Sequence, residues 1–274
     1  MEISNGDFLL LRDYVNQRTG LFFEDKKKYL FDMRVDKRVK EVSCDTASEY
    51  YRILKFGLRV GELDNLVNLL TTNETYFFRN LPQLQTFSDE VLPELIRHKN
   101  DTHKEFNIWS AGCSTGEEPY TLAMLVRDKL KDLQNWNIQI LATDIDREAL
   151  EECRKGIYGS RSIKDVPPQY LMTHFTYSNG FFMVKPEVRR MVNFGYLNLI
   201  DKIKMTTFRD MDIIFCRNVL IYFDLDSARQ VVNGFYDSLK PGGYIFLGHS
   251  ESMSRLSAAF KLVRLKNGTV YVKE

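Results

Sequence analysis

Glu117 and Glu118 stand side by side directly after a turn bracketed by Gly112 and Gly116, GCSTGEE. A third carboxylate, Asp144, closes the apolar run NIQILATDID, 32 residues beyond Gly112. Glycines at both ends of a turn let a ligand approach the backbone. An acid at the end of the next strand is where a nucleotide-binding fold holds ribose hydroxyls. The turn is not a pyrophosphate reader, because GxGxxG is absent and two acids stand where phosphates would lie; this disfavours a dehydrogenase. An acidic helix start suits a cationic ligand instead, such as the ammonium and sulfonium of S-adenosylmethionine. A plain tight turn with glutamates in the first turn of a helix accounts for the same residues. Asp146, just before REALEECRKG, is a better helix cap than Asp144.

Other polar residues gather at the ends of apolar segments. In TTNETYFFRN, Asn73 and Thr75 read as cap or turn residues opening a helix, with Arg79 near enough to turn toward a ligand. Asn198 ends VNFGYLNL, and Arg217, Asn218 and Tyr222 follow the buried run MDIIFC. Cys44, Cys113, Cys153 and Cys216 form no CxxC pair, which fits free thiols in a reducing cytoplasm. His98, His103, His174 and His249 have no metal-ligand spacing, so no metal site is expected.

These residues need a scaffold, and the pattern supplies one. FNIWSA predicts a strand buried on both faces, and EEPYTLAMLVRDKL a helix with apolar residues at helical spacing. NIQILATD, VNFGYLNL, MDIIFC and YIFLG read as further strands, LDSARQVVNGFYDSLK as a helix, and FKLVRLKNGTVYVKE as a hairpin turning at Asn267-Gly268. Residues 1–70 predict four short helices, the first stopping at Gly20, and LPQLQTFSDEVLPELIRHK a linking helix. KNDTHKE reads as a polar loop. Alternation breaks between about 157 and 191, where a hairpin across Ser178-Asn179-Gly180 suggests a small inserted wing. The expected architecture is α/β: a helical N-terminal domain over 1–72, then a doubly wound domain over 73–274 that carries the wing.

At 274 residues and 44% hydrophobic content the chain can bury a sizeable core, and a net charge of +1 gives no general case for nucleic acid or acidic membranes. No apolar run spans a bilayer, and no signal peptide is evident. Charge is uneven, however: residues 26–40 hold seven basic residues against Asp32 and Asp36. Such a run is either a solvated helix face or a docking surface for an acidic partner, with Arg34, Lys37 and Arg38 as the contacts.

TTNETYFFR, GCSTGEEPYTLA, ATDID, LNLID, IFCRNVLIYFD and GHSES occur in the order and spacing of the chemotaxis receptor methyltransferases. Over nearly its whole length the chain resembles this CheR family. The resemblance implies methyl transfer from S-adenosylmethionine to glutamate side chains on the cytoplasmic helices of chemoreceptors, with no nucleic acid and no membrane insertion. It implies cofactor contacts at Asn73, Thr75, Arg79, Glu117, Asp144, Asn198, Leu199, Arg217 and Asn218. Among these, Asp144 would hold ribose, Glu117 the cationic methionine end, and Asn198 and Leu199 the adenine side. Arg79 and Tyr222 would lie nearest the transferred methyl.

The chemistry agrees with that assignment. A glutamate with a pKa of about 4.3 is already an anion at neutral pH, so no general base is required. The task is to strip water from a carboxylate and align it. The cysteines of GCSTG and FCRN read as small buried residues rather than nucleophiles. Some family members use the wing to grip a receptor's C-terminal peptide through a longer, glycine-rich loop. Here Gly180 is the only glycine of the wing turn, and Phe181, Phe182 and Met183 suggest a face packed back on the protein, so no tether is expected. Two other readings stay open: a relative that binds without transferring, and a methyltransferase acting on a different acidic protein.

Overall fold

The computed structural model describes residues 3–99, 104–130 and 132–274. Most of the polar loop expected around 99–105, His103 included, lies outside the described residues.

Four helices open the chain: α1 (Asn5–Thr19), α2 (Lys28–Glu41), α3 (Ala47–Phe56) and α4 (Glu62–Leu70). The Ser4 and Thr46 side chains accept from the free N–H groups that start α1 and α3, and Gly20 and Gly57, both left-handed, end them. Their apolar stripes meet in a core of their own around Phe8, Leu11, Phe31, Val35, Tyr50 and Leu66.

The chain then departs from expectation. Residues 71–80 form no helix, and Asn73 and Thr75 open nothing; helix α5 (Leu81–Gln85) begins only at Leu81, with Pro82 in its first turn. Phe78 and Asn80 take left-handed backbone conformations that break any helix across the segment. The linking helix then runs through a π-helical stretch, Thr86–Val91, into α6 (Leu92–His98).

The second unit alternates as predicted: β1 (Glu105–Ala111), α7 (Glu117–Lys129), β2 (Asn137–Asp144) and α8 (Arg147–Lys155). The wing follows, with β3 (Ile157–Tyr158), α9 (Pro168–His174), β4 (Phe175–Ser178), β5 (Phe181–Val184) and α10 (Pro186–Arg189). β6 (Val192–Tyr196), α11 (Lys202–Met205), β7 (Met211–Cys216), α12 (Leu225–Ser238), β8 (Leu239–Leu247), β9 (Phe260–Arg264) and β10 (Thr269–Lys273) complete the chain.

The main sheet has the order β6-β2-β1-β7-β8-β10-β9. Its first five strands are parallel, and β10 runs antiparallel to both of its neighbours, β8 and β9. From β1 the chain builds outward to β2 and β6, then returns to β7 on the other side. The switch point therefore lies beyond the carboxyl ends of β1 and β7, where doubly wound sheets bind their ligands. Alternate side chains of β1 feed two cores: Phe106 and Ile108 on one face, Trp109 and Ala111 on the other.

In the wing, β5 is the centre of a separate three-stranded antiparallel sheet flanked by β3 and β4. The hairpin turns at Asn179 and Gly180, both at positive φ. Phe182 packs against the main core, but Phe181 is 52% exposed and does not pack back as expected. Adjacent residues of a strand point to opposite faces, so the two phenylalanines cannot share one.

Candidate active site

At the switch point a cleft of about 310 Å³ opens between the helical unit and the sheet. Its floor is the glycine turn. Gly112 and Cys113 donate their N–H groups to the Thr143 carbonyl at 2.8 and 3.0 Å, which fastens the turn to the end of β2. Gly112 has φ 81°, and a Cβ there would lie 2.4 Å from the Val219 side chain. Glycine is therefore required at that point by both backbone and space.

Asp144 lines this floor. One carboxylate oxygen accepts from the Ser114 N–H at 2.7 Å and the other from the Asp146 N–H at 2.9 Å. Burial pushes its carboxyl up to about 6, against the pull of those N–H groups. Asn73 stands beside it, donating to Asp146 at 2.7 Å and accepting from the Ser114 hydroxyl at 2.9 Å. Asp146 also accepts from the Ala149 N–H at 2.9 Å, so it caps α8 as predicted. One polar network thus joins the loop after α4, the glycine turn and the end of β2.

The pair of glutamates divides differently from expectation. Glu117 does not line the cleft: it is 1% exposed, it accepts from the Thr115 hydroxyl at 2.7 Å, and burial raises its pKa. Glu118 is the acid that lines the cleft. It accepts from the Ser110 hydroxyl at 2.7 Å and pairs with Arg217 at 3.0 Å. Successive helical residues are turned by about 100°, so only one of two neighbours can face the cleft. Arg217 also donates to the Arg79 carbonyl at 2.7 Å, which leaves its buried Nε without a protein partner.

Arg79, Thr75, Leu199 and Asn218 all line the cleft. The Arg79 guanidinium bonds back to the Glu74 carbonyl and lies 5.6 Å from the Tyr76 ring centre. Asn218 holds a left-handed conformation, φ 59°. Asn198 faces the cleft too, donating to the Arg18 carbonyl at 2.7 Å. Tyr222 closes the far side, packed against the helical core.

The basic stretch also divides. Arg34 reaches the rim of the cleft and donates to the Leu70 carbonyl at 2.8 Å. Lys37 is exposed, 3.9 Å from Glu41. Arg38 is not an outward contact: it holds Glu62 with two bonds, 2.9 and 2.7 Å, while the Tyr50 hydroxyl donates to the same carboxylate at 2.7 Å. Glu62 is 1% exposed, and a buried carboxylate requires such a partner. None of the three described histidines lines the cleft.

These contacts fit S-adenosylmethionine. Glu118 supplies negative charge beside a glycine turn, Asp144 retains acceptor capacity at a strand end, and the donors of Asn73 and Arg217 complete a polar wall facing apolar residues such as Leu21, Phe22 and Leu199. Fold and cleft together define an S-adenosylmethionine-dependent methyltransferase with a helical N-terminal unit. Two family models match the chain: "CheR methyltransferase, all-alpha domain" over residues 6–71 and "CheR methyltransferase, SAM binding domain" over residues 73–269. The chain belongs to the CheR methyltransferase family. It is 40% identical to Chemotaxis protein methyltransferase 2 of Vibrio cholerae, across 99% of this chain and 94% of that one. It is 32% identical to Chemotaxis protein methyltransferase Cher2 of Pseudomonas putida, across 99% of each, and 34% identical to the Escherichia coli chemotaxis protein methyltransferase, across 99% and 92%.

Proposed function

We propose that the chain transfers a methyl group to glutamate side chains on the cytoplasmic methylation helices of chemoreceptors, acting in the cytoplasm as part of chemotactic adaptation. The observation that carries this is the cleft itself, which joins an acidic cofactor corner to a rim lined by Arg34, Arg79 and Tyr222. Asp144 holds ribose hydroxyls, Glu118 and Arg217 form the charged wall at the methionine end, and Asn198 and Leu199 line the adenine side. Asn73, Thr75 and Asn218 complete the contacts. Glu117 acts one step back, by holding the Thr115 hydroxyl within the turn.

S-adenosylmethionine supplies an electrophilic methyl group on a positively charged sulfur. The incoming glutamate is already an anion, so no residue of the chain has to remove a proton. Its oxygen is well hydrated and must be desolvated and aimed. Arg79 steers the carboxylate by charge, and the Tyr222 hydroxyl donates a hydrogen bond that fixes its direction. Arg34 at the rim and the exposed Lys37 beside it meet the acidic receptor helix, where charges near the surface speed encounter more than they add affinity. Among the described residues no helix is long and apolar enough to cross a membrane.

The test is transfer of labelled methyl groups to receptor-containing membranes, followed by mapping of base-labile sites. Label on receptor glutamates is the expected result. Label found only on another acidic protein, or on none, overturns the proposal.

A further inference from the structure

The motif GHSES lies beside the cleft, yet none of its residues lines it. Its glutamate, Glu251, gathers four backbone N–H groups on one carboxylate. One oxygen accepts from Gly248 at 2.6 Å and Asn218 at 2.8 Å; the other accepts from Val219 at 2.9 Å and Ile221 at 3.3 Å. Three of these donors belong to the segment that follows β7, and the fourth follows β8. Neighbouring strand ends are thus tied by one side chain that is not part of either strand. Glu251 closes its own turn by donating its N–H to the Gly248 carbonyl at 2.9 Å.

The clasp is built to close tolerances. A Cβ on Gly248 would lie 2.6 Å from the Glu251 carboxylate and 2.7 Å from the Asn218 nitrogen, so only glycine admits both. Asn218 is held at φ 59°, a conformation that needs support from its surroundings. On the other side Val219 presses against Gly112 of the cofactor turn. The segment 218–222 is therefore fixed between the glycine turn and Glu251, and it presents Asn218 and Tyr222 to the cleft. Converging backbone N–H groups create positive potential, and a carboxylate satisfies it with charge-assisted bonds that a neutral amide cannot reproduce.

We propose that Glu251 is a positioning residue for methyl transfer, acting through Asn218 on cofactor affinity and through Tyr222 on turnover. This rests on the methyltransferase reading of the cleft. In E251Q an amide N–H₂ replaces one of the two acceptor oxygens and faces two donors. The segment then loses its fixed orientation while both strands remain.

The experiment is a pair of double-mutant cycles on folded protein below its unfolding transition. S-adenosylhomocysteine affinity is measured by calorimetry for the native chain, E251Q, Asn218→Gly and the double variant. Glycine removes the Asn218 side chain without straining its backbone. Turnover on receptor is measured for the native chain, E251Q, Tyr222→Phe and the double variant.

The expected result is that E251Q weakens S-adenosylhomocysteine at least fivefold and slows turnover at least tenfold. Each loss should shrink by more than half, as a logarithm, in the background lacking the partner side chain. A merely structural glutamate would give equal factors in both backgrounds, and that result overturns the proposal, as does native behaviour of E251Q. If E251Q does not fold, E251D, which keeps the charge but withdraws it by one methylene, enters the same cycles. Native turnover in Tyr222→Phe alone would refute the role given to Tyr222, and the affinity cycle would then judge Glu251. Failure of the native chain to methylate receptor would refute the substrate reading, and the same affinity cycle would still decide.

Discussion

The N–H of Phe22 donates a 2.8 Å hydrogen bond to the carbonyl of Tyr222. Beside it, Leu21 and Phe223 form an antiparallel bridge. The helical unit is thus fastened, through the link after α1, to the same loop that brings Tyr222 to the cleft. Asn198 and Arg18 add a second fastening at 2.7 Å. The helical unit is therefore part of the cleft wall.

Gly20, the C-cap of α1, sits at that fastening. It has φ 77°, and a Cβ would lie 2.4 Å from the Phe223 ring and 2.8 Å from Ile200. Gly20→Ala should cost about 1–2 kcal/mol from the left-handed backbone alone, with the clash adding to it. The expected outcome is a lower thermal midpoint together with slower turnover on receptor. An unchanged midpoint would show that the link tolerates a side chain.

Asp144, as the proposed holder of the ribose, should give cofactor binding a pH dependence. Replacing it by alanine removes hydrogen bonds worth about 0.5–1.5 kcal/mol each, so S-adenosylmethionine affinity should fall at least tenfold with the fold retained. Because its pKa is raised to about 6, the carboxylate is protonated below that pH. Affinity for S-adenosylhomocysteine should therefore weaken as pH falls through about 6 and level off above it, as calorimetry across pH 5–8 would read. For folding the sign is opposite. The folded state binds this proton more tightly than the unfolded chain, at about 3.9, so the burial of Asp144 lowers stability as pH rises from about 4 to 6.

Turnover at saturating cofactor should show no requirement for a histidine titrating near pH 6.5. Single replacement of His98, His103 or His174 should leave a measurable rate. His249, which is exposed and adjoins the Glu251 clasp, is expected to affect shape at most. Loss of transfer in a folded variant of any of the first three would refute base-free chemistry.

The two arginines of α2 should behave unlike each other. Arg38→Glu leaves Glu62 buried against a like charge, and breaking such a pair costs about 3–5 kcal/mol, so the helical unit should unfold at a markedly lower temperature. Lys37→Glu together with Arg34→Glu should raise the Michaelis constant for receptor, most strongly at low salt. Equal kinetics at low salt would make the stretch an ordinary solvated face.

The wing leaves β4 as an open edge, with Tyr177 66% exposed along it. Its two-residue turn is short, and the expectation remains that methylation does not depend on a peptide tether at the receptor's C-terminus. Micromolar binding of a receptor C-terminal pentapeptide, abolished by changes in residues 177–184, would overturn it.

Much of this architecture was legible along the chain because its causes are local. β1, the glycine turn and α7 announce themselves by an apolar run, two glycines and a helical repeat. Asp146 caps α8 because a cap reaches only three residues ahead. What escaped depends on direction or on distant partners. Glu117 and Glu118 are chemically identical neighbours, and which one faces the cleft follows from how α7 seats on the sheet. Arg38 looks like surface charge until α4 brings Glu62 beneath it. Residues 71–80 resemble a helix start, but Asn73 is taken up by Ser114 and Asp146, more than forty residues away. Glu251 belongs to a recognisable motif, yet its four donors come from segments that meet only when β7 and β8 pair. Local propensity reads one stretch at a time, while a buried charge or polar group is settled by whichever partner the packed sheet brings within hydrogen-bond reach.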